Sequence, residues 1–255
     1  MTFILKRAES IANYYGGNYK ICGIMIIAGD KMKSMLLKDD KICKINYKNK
    51  IDGIKLMLNI NDEVIKTVFF DPQYRGVLDK LKYGNEGKQR GKARHELKQM
   101  DEETIISFIE EIDRVLIPSG HLFLWVDKFH LCTGVSDWFK NTKLKLVDMI
   151  TWDKGKIGMG YRTRRKSEYL IIFQKEPVKA KGYWIDHAIP DVWLEKTDKT
   201  HAHSKPIDLQ KRLIEATTNE KDYVLDPAAG GYSVFKACEQ CNRNFIGGDI
   251  EYGED

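Results

Sequence analysis

The sequence predicts a doubly wound α/β domain whose sheet is mostly parallel, with an antiparallel hairpin at one edge. Three observations carry that expectation. Short runs rich in β-branched and aromatic residues alternate with helical patterns along most of the chain, the signature of a parallel sheet covered on both faces. Several of these runs end in an aspartate, at Asp71, Asp127, Asp226 and Asp249, which would gather acids along the rim where open α/β sheets bind ligands. Two runs, KLVDMITWD and SEYLIIFQK, follow one another with only a basic, glycine-containing connection between them, as an antiparallel pair does. At 255 residues, with 42% hydrophobic and 31% charged positions, the chain is sized for one substantial core, and residues 1–255 are read as a single domain.

Each element follows from local pattern. Residues 1–40 mix apolar and lysine-rich stretches without a motif and are read as an N-terminal extension of unknown role. KICKINYK, at 41–48, alternates as a strand, IDGIKLMLNI suits a short helix, and VIKTVFFD is a second strand. A polar loop over 75–100 comes next. Ile105, Ile106, Phe108, Ile109, Ile112, Val115 and Leu116 then mark one face of a helix that starts near Asp101 and stops before Pro118-Ser119-Gly120. HLFLWVD is a strand, and the hairpin pair follows it. Residues 175–200 read as irregular, with Trp184 and Trp193 embedded in them. Pro206 opens the helix IDLQKRLIEATT, DYVLD is a strand, Ser233 caps SVFKACEQC, and NFIGGD is the last strand.

Composition excludes some functions and leaves others. The longest apolar run, GIMIIAG at 23–29, is too short to cross a bilayer, so the expectation is a soluble, cytoplasmic protein with no membrane partner. Five cysteines are an odd count and make no disulfide framework, and Cys238 with Cys241 lacks a second pair or a nearby histidine to complete a metal site. No metal is expected. A net charge of +5 is too small by itself to imply a polyanionic partner, so clustering of the basic residues decides.

Two stretches point to chemistry. In DPAAGGYS, a strand runs through a small-residue turn into a helix start, which lets a ligand approach backbone N–H groups. Asp249 ends the next strand about 20 residues on, where dinucleotide folds place the acid that accepts from a ribose diol. The other stretch, VFFDPQYRG at 68–76, runs an apolar strand straight into an acid, a proline, a glutamine and a tyrosine. A lone aspartate at a strand end is an everyday turn former. Four of them at one rim are harder to assign to turns alone.

The order DPQY, HAHSKP, DPAAGG, FIGGD resembles the β-class S-adenosylmethionine-dependent DNA amino-methyltransferases, in which a DPPY-type catalytic motif precedes the cofactor motif. The resemblance covers most of the chain from Lys41 onward and implies a Rossmann-like methyltransferase sheet, S-adenosyl-L-methionine as methyl donor and double-stranded DNA as partner. By that resemblance Asp71 and the carbonyl of Pro72 accept the two N–H groups of the target amine, and Tyr74 stacks on the base. Gln73 stands where the family usually has proline, a change that touches turn geometry and neither acceptor. A leading aspartate resembles the adenine-N6 subgroup, whereas serine there would resemble the cytosine-N4 subgroup. Asp226, Pro227, Ala228 and Gly230 match the strand-to-helix motif beneath the donor, Asp249 the ribose acid, His201 and Lys205 the H-x-x-x-K spacing, and Asp52 the early loop residue that approaches the donor's adenine.

The chemistry agrees with these residue types. The lone pair of an exocyclic amine is delocalised into the ring, and two acceptors aimed at its hydrogens localise it towards an electrophilic methyl group. An amine buried in a duplex must first be rotated out of the stack. The stretch 75–98 carries eight lysines and arginines against three acids, and Arg75, Lys88, Arg90 and Arg94 are read as part of a mobile loop that meets phosphates. Arg162, Arg164 and Arg165, in the hairpin connection, form a second basic cluster able to reach phosphates or guanine edges. Target recognition falls to a short segment, 175–200, which leaves room for a homodimer or a partner subunit. Trp184 and Trp193 suit either an anchor to the core or a base contact. Cytosine-N4 methylation, adenine methylation of RNA and a non-catalytic DNA-binding subunit stand as the alternative functions.

Overall fold

The computed structural model describes residues 35–73, 100–158, 162–196 and 205–254. Along the chain come β1 (Asn49–Lys50), α1 (Gly53–Leu58), β2 (Ile65–Phe70), α2 (Glu102–Val115), β3 (Leu116–Val126) and α3 (Lys128–Thr133). A 3-10 turn at Ser136–Phe139 leads to β4 (Leu144–Asp153), β5 (Ser167–Lys175), β6 (Val192–Leu194), α4 (Ile207–Thr217), β7 (Tyr223–Asp226), α5 (Ser233–Gln240) and β8 (Asn244–Asp249). The eight strands form one sheet in the order β1-β8-β7-β2-β3-β5-β4-β6. All neighbours are parallel except β5, which is antiparallel to both β3 and β4.

The period-two pattern of β2 explains the layering. Val68 and Phe70 face a core built with Leu56, Phe108, Ile109 and Ile112 from α1 and α2. Phe69 faces the opposite core, with Leu209, Leu213, Val234 and Ala237 from α4 and α5. Successive side chains of a strand point to opposite faces, so a strand covered on both sides must be apolar throughout. Phe70 stacks on Phe108 at 5.1 Å and Phe69 on Phe123 at 4.8 Å. Asp101 caps α2 by accepting from the Thr104 N–H at 2.8 Å, with Glu102 and Glu103 in the first turn and Arg114 in the last, as the helix dipole favours.

The strand order creates the site. From β2 the sheet extends on one side through β3, β5, β4 and β6, and the chain then returns through α4 to place β7 on the other side of β2. Connections diverge there, and the crevice above the carboxyl ends of β2 and β7 is the switch point at which such sheets bind ligands.

Three local expectations are corrected. KICKINYK is not a strand, and only Asn49–Lys50 pairs with β8. The Asn49 side chain accepts from the Lys44 N–H and donates to the Lys44 carbonyl, while Asn46 takes φ 55°, so local side-chain bonds satisfy this backbone instead of a ladder. Ser233 does not cap α5. Tyr232 holds the cap position at φ 56°, because its ring is buried and its hydroxyl donates to the Asn49 carbonyl at 3.0 Å. Within 175–200, Val192–Leu194 adds an edge strand parallel to β4.

Candidate active site

β2 delivers Asp71, Pro72 and Gln73 to the rim, and the Gln73 carbonyl accepts from the Met100 N–H at 2.7 Å. Asp71 does not stand alone. Lys205, just before α4, places its ammonium 2.9 Å from Asp71 Oδ2 and 2.9 Å from Glu168 Oε2. The other oxygen of Glu168 pairs with Lys154. Lys205 also lies over the Trp125 ring, 5.0 Å from its centroid. Burial alone would push the Glu168 carboxyl up, but Lys205 and Lys154 outweigh it and hold the group at about 2. Burial pulls the Lys205 ammonium down, and Asp71 and Glu168 more than offset this, raising it above the ordinary lysine value.

From β7 come Asp226, Pro227, Ala228, Ala229 and Gly230. Asp226 is buried and accepts from the Ala228 N–H at 3.3 Å. Burial pushes its carboxyl up to about 8, against that hydrogen bond and with the help of the neighbouring Asp71 and Asp249. Gly230 adopts φ 46°, and a Cβ there would meet nothing within 4 Å, so glycine is favoured at this position by conformation and not by crowding. Its N–H donates to Asp249 Oδ2 at 3.1 Å, while Asp249 Oδ1 accepts from the N–H groups of Glu251 and Tyr252. Asp249 therefore clamps two backbone turns. Asp52 caps α1, accepting from the Lys55 N–H at 3.1 Å. The next residue, Gly53, packs so closely that a Cβ would lie 2.1 Å from the Pro227 carbonyl, which brings the Asp52 turn against the β7 loop.

Asp71, Lys205, Asp226, Ala228 and Gly230 line one cleft, with Trp125 and Gln210 in its wall. Two polar side-chain atoms buried behind this wall, Trp125 Nε1 and Gln210 Oε1, have no hydrogen-bond partner among the described residues. Lys205, expected among the cofactor residues, directs its ammonium to Asp71 and so joins the two halves of the cleft. Tyr74, Arg75, Lys88, Arg90, Arg94 and His201 lie outside the described residues. Arg162, Arg164 and Arg165 are exposed on the β4–β5 connection and pair with no carboxylate among the described residues. Trp184 packs edge-on against His121 and donates to the Asp186 carbonyl at 2.6 Å, and Trp193 donates to Glu195 at 2.7 Å, so both anchor their segment.

Glu168 and Lys154 were not legible as site residues. The signal was strand direction. Because β5 is antiparallel to both neighbours, its first residues reach the rim where β3 and β4 end, so a search of strand ends passes over Glu168. Among the described residues, no group of three His, Cys, Asp or Glu is arranged to hold a metal, and no helix is long and apolar enough to cross a membrane.

The strand order and the crevice above β2 and β7, where Asp71, Lys205 and Asp226 meet, place the chain among Rossmann-like α/β folds with a ligand cleft at the switch point. The sequence model of the DNA methylase family, the N6 and N4 methyltransferases, matches residues 65–254, and the chain belongs to that family. It is 61% identical over 223 residues to the type II methyltransferase M.HhaII of Haemophilus parahaemolyticus, covering 87% of this chain and 98% of that one. It is 26% identical to the type II methyltransferase M2.MboI of Moraxella bovis, over 85% of this chain and 86% of that one. Among solved structures, the fold resembles PvuII DNA methyltransferase (cytosine-N4-specific), with TM-score 0.61 and 14% identity over 82% of this chain and 85% of that one. It also resembles the M1.HpyAVI–SAM complex, with TM-score 0.57 and 18% identity over 80% and 92%. The chain is thus a DNA methyltransferase that uses S-adenosylmethionine.

Proposed function

We propose that this enzyme methylates the N6 amine of adenine in double-stranded DNA, at a specific site, within the type II setting that the names of its relatives carry. The observation that carries the proposal is Asp71 at the end of β2, in one cleft with the Asp226–Gly230 loop. Asp71 and the Pro72 carbonyl receive the two amine hydrogens, and Tyr74 holds the flipped base against them. The donor, when bound, supplies a methyl group on a sulfonium cation. Asp226, Ala228 and Gly230 seat it, with Asp249 and Asp52 at its ribose and adenine, and His201 at its carboxylate. Positioning the amine against the methyl can by itself remove about 7–11 kcal/mol of the barrier. The acidic lining fits a cationic ligand.

Mass spectrometry of nucleosides, after incubating the protein with S-adenosylmethionine and genomic DNA, tests the assignment. N6-methyladenine is the expected product. N4-methylcytosine, or methylation of RNA alone, overturns it.

The raised Asp226 gives a pH prediction. With a folded value of about 8 against 3.8 unfolded, Asp226 binds more protons in the folded state, so the stability it supports is whole below about pH 4 and is lost as pH rises towards 8. His121, lowered to about 4 by burial, acts in the opposite sense below its ordinary 6.5, so the fall is clearest between pH 6.5 and 8. Thermal unfolding of the donor-free protein should show that fall, and Asp226→Asn should flatten it. A cationic donor lowers the group again, so calorimetry at pH 7 should find proton release on binding. An enthalpy independent of buffer would remove Asp226 from the donor site.

DNA contact by the hairpin connection has a salt signature. Each phosphate contact contributes roughly 0.9 to the slope of log affinity against log salt. Replacing Arg162, Arg164 and Arg165 by alanine should reduce that slope by about 2–3 while leaving donor affinity unchanged. An unaltered slope removes this cluster from the DNA surface.

A further inference from the structure

The start of α4 lacks the local cap that such a helix normally carries. Pro206 occupies the cap position at φ −69° and ψ 117° and offers no side-chain acceptor. Two N–H groups that a first turn leaves unsatisfied, those of Asp208 and Leu209, are met instead by Glu195, which lies 13 and 14 residues earlier in the chain. Glu195 Oε1 accepts from Asp208 at 3.1 Å, while Oε2 accepts from Leu209 at 3.0 Å and from the Trp193 indole at 2.7 Å. A carboxylate there also faces the positive end of an 11-residue helix.

Glu195 is itself held by its backbone. Its N–H donates to the Asp153 carbonyl at 3.1 Å, and its carbonyl accepts from the Trp152 indole at 2.9 Å. Trp152 packs edge-on against Trp125, over whose ring Lys205 stands. The end of β4 thus fixes Glu195, and Glu195 fixes the first turn of α4. Lys205 lies immediately ahead of Pro206, and its side chain, only 14% exposed, stands 2.9 Å from Asp71 and 2.9 Å from Glu168. We propose that Glu195 is a positioning residue for methyl transfer: as the cap of α4 it sets where Lys205 stands, and through Lys205 where the Asp71 carboxylate is held. The proposal rests on Asp71 being the amine acceptor. Glu195 touches neither substrate nor donor in this role. Fraying of the first turn displaces the lysine, and a displacement of about 1 Å passed on to a reacting group costs up to roughly 100-fold in rate.

The test is methyl transfer in a single turnover, with S-adenosylmethionine and methylatable DNA both saturating, at a temperature where every variant is folded. Glu195→Ala should slow the step by about 10- to 100-fold, with the donor dissociation constant changed less than about 3-fold. Glu195→Gln keeps one acceptor, and its rate should fall between those of the unaltered protein and Glu195→Ala. In a Pro206→Ser background, where a local hydroxyl caps the helix, Glu195→Ala should slow transfer less than about 3-fold relative to Pro206→Ser alone. Lys205→Met should lower the unfolding midpoint less in Glu195→Ala than in the unaltered protein, because the lysine is already loosened. A merely structural cap lowers the midpoint and leaves the rate of the folded protein unchanged. Full rate in Glu195→Ala, a loss that disappears on adding more DNA, an undiminished loss in the Pro206→Ser background, or additive falls in midpoint overturns the role of Glu195. Absence of any methylated base amine with the unaltered protein instead overturns the underlying reading of Asp71, so the two failures are distinct.

Discussion

Asp71→Ala should abolish methyl transfer while S-adenosylmethionine binds within a few-fold of its affinity for the unaltered protein. In the proposed reaction Asp71 acts on the amine, while the donor is seated by the loop after β7, across the same cleft. Loss of one preorganised group that meets developing charge typically costs about 10²–10³ in rate, and a misplaced Lys205 ammonium left facing the amine adds to that loss. Asp71→Asn sharpens the test. Its amide oxygen can still accept from Lys205, so the fold is preserved, but its NH₂ then faces the amine hydrogens as donor against donor. Both variants should be inactive in single turnover with labelled donor, and both should titrate with donor normally. Turnover near the unaltered rate in either variant would remove Asp71 from the chemistry.

Lys205→Met should be the most destabilising single change in the cleft. Removing one partner of a buried pair leaves its anions uncompensated, at a cost of about 3–5 kcal/mol. Asp71 is 39% exposed, so solvent screens part of the repulsion and the low end, about 3 kcal/mol, is expected. For a domain of this size that lowers the unfolding midpoint by about 6–12 °C. The deficit should depend on pH with a definite sign. Glu168 is held at about 2 in the folded state against 4.5 unfolded, so the stability it contributes is present above pH 4.5 and is lost as pH falls from there towards 2. Lys205→Met gives up much of that contribution, and the two proteins should converge in stability as the pH approaches 2–3. Equal midpoints at pH 7, or a gap that does not narrow in acid, would show that the lysine holds nothing together.

Much of the fold was legible because its cause is local. Strands covered on both faces must be apolar, so VFF of β2 and HLFLWV of β3 announce themselves, as does the stripe of α2 behind its Asp101 cap. Alternation misled at KICKINYK, where Asn46 and Asn49 offer the backbone local partners that compete with a ladder. It was silent at Val192–Leu194, three residues whose pairing depends on β4 being there to receive them.

The proposed catalytic and donor motifs, Asp71-Pro72-Gln73 and Asp226 to Gly230, were legible in the sequence because each ends a strand, and the pairing of β7 with β2 then brings them into one cleft. What only the tertiary structure decided is the company they keep. Lys205 reads as a helix-opening lysine until the fold places it between Asp71 and Glu168, and Glu168 lies 97 residues after Asp71 and 37 before Lys205, a separation no local pattern spans. Its place at the rim follows from β5 running against its neighbours, and strand direction is a property of the assembled sheet, set by which edges remain unpaired when the hairpin docks.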